Sequence, residues 1–230
     1  MNSFNLCKKH VIMLIKRVII IHTAKEINKI IQLLEKYYPI PYTDLKYIKD
    51  YELLFAARLA AQCTDARVNT VTPALFIKYP SLEAFASADI NELEKMIFSC
   101  GFYKTKARDI IAAATILLTD FNGIVPDNME DLLKLPGVGR KTANLLLGDI
   151  FNKPAVVVDT HCIRLSNRIG LVNTKNPDKI ESELRKILPP DKSSDFCHRL
   201  VLHGRAVCTA RKPRCEKCCI NKHCLYYKDR

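Results

Sequence analysis

Cys208, Cys215, Cys218 and Cys224 fall within 17 residues, with six, two and five residues between them. Four thiolates on so short a segment can surround one compact centre, and four cysteines suit zinc or an iron–sulfur cluster; spacing alone does not separate the two. Zinc ribbons usually offer two CxxC knuckles, and here only Cys215–Cys218 forms one. Cys219 is an adjacent fifth cysteine that cannot easily point at the same metal. A second stretch, Leu135-Pro136-Gly137-Val138-Gly139-Arg140-Lys141, reads as a tight glycine turn between two short helices. Glycine lets backbone N–H groups approach a phosphate with no Cβ in the way, and the following helix turns its positive end toward an anion. This is the helix–hairpin–helix pattern, which would grip a nucleic-acid backbone through Gly137, Val138, Gly139 and Arg140 without reading sequence. The plainer reading, a helix-ending glycine before an ordinary turn, would lead if the string were a lone glycine pair.

The rest of the composition agrees with a polyanionic partner. Thirty-six Lys and Arg against 24 Asp and Glu leave a formal charge of +12, and each phosphate neutralised by such a cation releases a condensed counterion. Hydrophobic residues at 48% exclude wholesale disorder. Ten cysteines would be compatible with a secreted disulfide scaffold, but five of them crowd the last 23 residues while Cys7, Cys63, Cys100, Cys162 and Cys197 are scattered. A terminal cluster in a chain long enough for a core points to metal ligation in a reducing compartment. Near the start, Val11 to Ile21 is apolar after Lys8, Lys9 and His10, like the opening of a signal peptide. Lys16 and Arg17 interrupt the run and no small-residue cleavage site follows, and the run is too short and too charged to span a bilayer. Residues 1–22 therefore read as an extension, and the expected location is cytoplasmic, with no membrane.

The elements that must position these residues are helical. Ile27, Ile30, Ile31, Leu33 and Leu34 recur at helical spacing before Pro39 and Pro41. Further helices are expected over Tyr51–Cys63, Val68–Tyr79, Leu82–Ser99 and Lys106–Leu118, with a tight turn at Cys100-Gly101. Pro126-Asp127-Asn128 should cap a helix over Met129–Leu135, followed by another from Arg140 to about Phe151. Ala155–Val158 is a β-branched run without a partner strand and reads as a buried connector. Cys162–Ile169, Pro177–Leu188 and Asp195–Val207 are helical again, so the fold class is all-α.

Together with Ala61-Gln62-Cys63-Thr64-Asp65, Gly101-Phe102-Tyr103, Lys141-Thr142-Ala143-Asn144, Val158-Asp159-Thr160-His161 and Leu202-His203-Gly204-Arg205, the two motifs resemble the endonuclease III family of DNA glycosylases from about Thr23 onward. The resemblance implies a 4Fe-4S cluster on Cys208, Cys215, Cys218 and Cys224. It implies a bifunctional DNA N-glycosylase and abasic-site lyase of base-excision repair that acts on oxidised pyrimidines in double-stranded DNA. Lys141 would be the nucleophile and Asp159 the essential carboxylate. A lysine amine attacks C1′ of the damaged nucleotide, displaces the base and forms a Schiff base; the imine acidifies a 2′ proton, and β-elimination cuts 3′ to the lesion. Burial and neighbouring cations such as Arg140 would keep the amine neutral. Without the family, Lys141 reads as a phosphate contact and Asp159 as a helix N-cap.

The target base must leave the stack. In the family a glutamine fills the vacated space and a bulky apolar residue, often Leu, wedges the opposite strand; Gln62 and Phe102 occupy those positions. Arg211, Lys212 and Arg214 would touch phosphates from the loop the cluster shapes. By the same resemblance the fold is two helical domains with a DNA-binding cleft between them: a six-helix barrel-like domain at 43–153, and a cluster domain joining 23–42 to 154–230. The molecule is expected to act as a monomer. A monofunctional adenine-specific relative would place a glutamate before the Gln-x-Thr motif and lack the lysine. Here Ala56-Ala57-Arg58-Leu59 has no carboxylate.

Overall fold

The computed structural model describes residues 22–229, and the apolar run Val11–Ile21 lies outside them. Among the described residues every regular element is a helix, as the periodicity requires, and Ala155–Val158 is a buried connector with no strand pairing. Two compact units form: residues up to Pro41 join those from Val158 onward, and Tyr42–Val157 makes the other.

Helix α1, Ala24–Tyr37, starts at a reciprocal cap in which Glu26 N donates to Thr23 Oγ1 while Thr23 N donates to the Glu26 carboxylate, 2.8 Å away. His22, which the sequence reading assigned to the extension, is buried instead. Its Nε2 meets Ile169 O at 3.0 Å, a carbonyl at a helix end that an imidazole can satisfy.

The unit Tyr42–Val157 holds α2 (Asp50–Ala60), α3 (Asp65–Lys78), α4 (Leu82–Ala86), α5 (Ile90–Ile97), α6 (Tyr103–Asp120), α7 (Met129–Leu132) and α8 (Arg140–Asp149). Its core centres on Phe85, whose ring lies 4.7 Å from Phe55 and 5.2 Å from Tyr79 in tilted or edge-on packing. Ala107, Ala113 and Ala114 leave α6 thin enough to run close against its neighbours. The long helix expected over Leu82–Ser99 is broken. Ser87 Oγ donates back to Glu83 O at 2.7 Å, and Asp89 Oδ1 accepts Glu92 N at 2.9 Å, so one helix is stopped and another started within three residues. The helix expected over Met129–Leu135 is shorter too. Asn128 caps it by accepting from Asp131 N at 2.9 Å, but past Leu132 the bonding tightens to three-residue turns, because Pro136 disfavours helical geometry in the residue before it.

The other unit adds α9 (Thr160–Ile169), α10 (Pro177–Ile187), α11 (Ser193–Ala206) and, after the cysteine-rich loop, α12 (Leu225–Lys228). α10 opens with Pro177 in its first turn and Asn176 as its cap. α9 crosses α11 at Gly204, where a Cβ would fall 2.5 Å from His161 Nδ1 and 2.9 Å from Arg164 Nη2. No side chain fits. Gly204→Ala should therefore cost about 1–3 kcal/mol of stability by overpacking, measured by chemical denaturation of the purified protein.

Candidate nucleic-acid interface and cysteine site

The glycine turn forms between α7 and α8. Leu135 and Val138 point inward as anchors, Val138 N donates to Leu135 O at 3.1 Å, and Gly137 and Gly139 are left exposed. Gly137 sits at φ +76°, a left-handed conformation that L side chains rarely adopt. A Cβ there would also collide with Arg58 Nε at 2.4 Å and Asp109 Oδ2 at 2.8 Å. Arg58 and Asp109 form an ion pair, Nη2 to Oδ2 at 2.6 Å and Nε to the same oxygen at 2.7 Å. The turn thus rests on a bridge between α2 and α6. The sequence reading missed both residues; an arginine inside the apolar run Leu53–Leu59 was the available signal.

Gly139 is the N-cap of α8 and supplies no side-chain bond, so the helix presents its first amides and its positive end outward beside exposed Arg140 and Lys141. Lys141 occupies the second position of α8 and is exposed. The burial expected around this lysine is absent from the free chain, because the residue lies on the open side of the first helical turn. Three residues on, Asn144 is buried. Its Nδ2 donates to Arg140 O at 3.1 Å, and its Oδ1 accepts Val156 N at 3.3 Å, which ties α8 to the connector that leads to Asp159.

Asp159 is the N-cap of α9, with Oδ1 accepting Cys162 N at 2.7 Å. The cap bond occupies one oxygen, and a carboxylate has further lone pairs to offer. Gln62 and Phe102 both lie exposed on turns of the Tyr42–Val157 unit, and both adopt left-handed backbone, φ +54° and φ +47°. Non-glycine residues seldom pay that conformational cost without a purpose at the site. Phe102 is 64% exposed, a large apolar ring held in water.

The four cysteines of the C-terminal motif line one pocket together with Val207, Pro213, Asn221, Tyr226 and Tyr227, and Cys219 is not part of the lining. The pocket's free space is about 270 Å³, its mouth included. Among the described residues no three Cys, His, Asp or Glu side chains converge closely enough to hold a single metal ion. Burial pushes the Cys218 thiol up to about 12 and raises Cys224, so a metal taken up here must expel protons as it binds.

Polar side chains hold this loop from outside. Arg168 Nη1 donates to Cys208 Sγ at 3.3 Å and to Thr209 O at 2.8 Å, its Nη2 reaches Ala210 O at 2.7 Å, and its guanidinium stacks 4.8 Å from the Tyr226 ring. Arg164 donates to Gly204 O and Cys208 O. Buried His203 lies 3.2 Å from Cys218 Sγ through Nε2 and 3.0 Å from Tyr38 OH through Nδ1, and its burial holds its pKa down to about 4. Arg164 and Arg168, four apart on α9, were a legible spacing that the sequence reading passed over. Arg211, Lys212 and Arg214 are exposed on the loop between the first two cysteines, and Arg214 commits one N–H to Ala206 O.

Residues 55–190 match the family model of the HhH-GPD superfamily base excision DNA repair protein. An endonuclease III of a Synechocystis species is 47% identical over 83% of this chain and 88% of its own length. The endonuclease III of Escherichia coli K12 is 41% identical over 82% of this chain and 89% of its own. Among solved structures, a trapped covalent intermediate of an endonuclease III with DNA superposes with a TM-score of 0.85 at 38% identity, covering 90% of this chain and 98% of that one.

Gly137→Ala meets both a left-handed backbone and an ion pair that cannot swing aside without breaking. It should lower stability by about 1–3 kcal/mol and weaken affinity for undamaged duplex. Fluorescence anisotropy with a labelled duplex, beside a denaturation curve, reads the two effects separately.

Proposed function

Because the chain belongs to the HhH-GPD superfamily of base excision DNA repair proteins, and within it to the endonuclease III family, we propose that Lys141 and Asp159 are the residues that carry its reaction. The protein is a DNA glycosylase and abasic-site lyase of base-excision repair. One observation carries the assignment of Lys141. The hairpin Gly137–Gly139, followed by the outward positive end of α8, delivers an exposed lysine amine within the first turn of that helix.

In this reading double-stranded DNA carrying a damaged base or an abasic site is held by Gly137, Val138, Gly139 and Arg140 through its phosphates. The base is turned out of the stack, Gln62 fills the gap and Phe102 wedges the opposite strand. Lys141 attacks C1′, the base leaves, and the Schiff base supports β-elimination on the 3′ side. Lys141 is exposed in the free chain, so bound DNA has to supply the surroundings that exclude water from the reacting amine. Asp159 supplies negative charge where positive charge develops on the sugar. Oxidised pyrimidines are the substrate class, the enzyme acts as a monomer, and its place of work is the DNA of the cytoplasm.

The cysteine pocket suits a 4Fe-4S cluster. Four thiols share one lining on a loop that arginine N–H groups and a buried imidazole brace from outside, and the resemblance to the endonuclease III family implies iron–sulfur there. Cys208, Cys215, Cys218 and Cys224 would hold it. Bound there, it would fix the loop from which Arg211, Lys212 and Arg214 are presented to phosphate. Purified protein should carry about four irons per chain. Alanine at any of those four cysteines should lose the iron, and Cys219→Ala should retain it, by iron analysis and absorption in the visible; stoichiometric zinc would refute the assignment.

Borohydride reduction tests the chemistry. With an abasic duplex the wild type should yield a covalent protein–DNA adduct, and Lys141→Gln should yield none while binding DNA nearly as well. Asp159→Asn keeps a side chain able to cap α9, so the loss of turnover expected there, about 10²–10³-fold, would report charge rather than folding. An adduct that maps by peptide sequencing to another residue overturns the mechanism.

A further inference from the structure

Lys106 is fully buried in the first turn of α6, and its Nζ donates to two backbone carbonyls, Leu59 O at 2.7 Å and Cys100 O at 2.9 Å. Leu59 O lies at the end of α2, where its helical partner, Cys63 N, has turned to Ala60 O. Cys100 O ends the 3-10 turn Phe98–Cys100. The chain then runs three residues from Leu59 to Gln62 and two from Cys100 to Phe102, both in left-handed backbone. We propose that Lys106 is a positioning residue that pins the two turns carrying Gln62 and Phe102 to one point, so that both side chains enter the duplex in fixed register. This rests on the reading that Gln62 and Phe102 are the inserting residues.

Packing alone does not explain a lysine here. A buried ammonium is costly, and an apolar side chain of the same length would fill the space more cheaply. Its advantage is three donors on one atom, which can serve two segments at once. Both acceptors lie at the negative ends of helical turns, where a cation is favoured. The Cys63 and Cys100 thiols of the same two segments also face one another, so the pin reinforces a contact the fold already makes. Burial pushes the Lys106 amine below the ordinary lysine range, and the facing Cys100 and Cys63 thiols offset part of that. The left-handed residues next to the pinned carbonyls are strained, and strain of this kind persists only where surrounding bonds over-determine it.

Removing the pin should leave the amine chemistry of Lys141 intact and damage insertion. Lys106→Met retains the length and removes the donors; Lys106→Gln keeps two N–H donors on a shorter, neutral arm and serves if the Met variant does not fold, with circular dichroism and melting as the check. Two substrates separate the effects: an oxidised pyrimidine paired in duplex, and an abasic site in a single strand, where nothing has to be inserted. Leaving the two carbonyls unpaired should lower kcat/KM on the paired lesion by roughly tenfold to a hundredfold. Borohydride trapping on the single strand should stay at the wild-type level. A 2-aminopurine beside the lesion should lose the fluorescence rise that reports unstacking. Equal losses on both substrates, or an unchanged 2-aminopurine signal, would mean that Lys106 only supports folding, and the proposal fails. Gln62→Ala and Phe102→Ala run in parallel. If they discriminate paired from single-stranded substrate while the folded Lys106 variant does not, the pin is wrong and the insertion reading survives. If they do not discriminate either, the insertion reading fails and takes the pin with it.

Discussion

The close seating of Gly137 on the Arg58–Asp109 pair sets the position of the phosphate-facing turn. A hairpin that offers backbone amides to a phosphate must have no side chain between amide and ligand, yet a turn without side chains has little of its own to hold it in place. Here the support comes from beneath. Two N–H groups of Arg58 converge on one oxygen of Asp109, and the planar guanidinium makes a flat seat against which only a glycine fits. The pair is largely but not wholly buried, so its worth lies less in net stability than in direction. Because Arg58 belongs to α2 and Asp109 to α6, the turn takes its place from the same helices whose ends carry Gln62 and Phe102. Leu135 and Val138 complete the attachment from the apolar side.

The cysteine loop follows a comparable logic in the other unit. A short loop bearing four thiols and several cations has scant apolar surface to bury, so it is organised by charge and by backbone bonds. Arg164 and Arg168 reach from one face of α9 to the carbonyls around Cys208, and Cys224 Sγ returns a bond to Arg168 O. His203 adds a buried link from Cys218 to Tyr38. Gly204 makes these contacts possible, since α11 must approach α9 within the radius of a methyl group. The Leu-His-Gly-Arg string thus carries a packing constraint and a polar contact in adjacent residues.

Conformational strain is unevenly spread. Among the described residues, four other than glycine take positive φ: Gln62, Phe102, Asn122 and Asn152. The two asparagines are the residue type that best tolerates it, and both sit at helix ends, where such turns are ordinary. Gln62 and Phe102 also sit at helix ends but lack the short amide side chain that eases this conformation. Both side chains stand exposed on left-handed backbone, which suits groups kept ready for a partner that arrives later.

The all-helical class, the glycine turn and the cysteine set were legible in the sequence because each depends on local spacing. A 3.6-residue apolar period, a Pro-Gly-x-Gly string and four clustered cysteines need no distant partner to be recognised. Helix ends were less legible: Asp89 divided one expected helix and Pro136 shortened another, each through a bond or clash that competes with the apolar period. What only the tertiary structure decided are the relations between segments far apart in the chain. Arg58 and Asp109 are 51 residues apart, and Lys106 and Leu59 are 47 apart. The sequence reading treated Arg58 as the absence of a carboxylate and Lys106 as part of an Ala-rich helix. Whether a charge within an apolar helix meets water or an opposite group depends on which helix packs against it. That is settled by the burial of side chains from the whole unit, and no local window contains it.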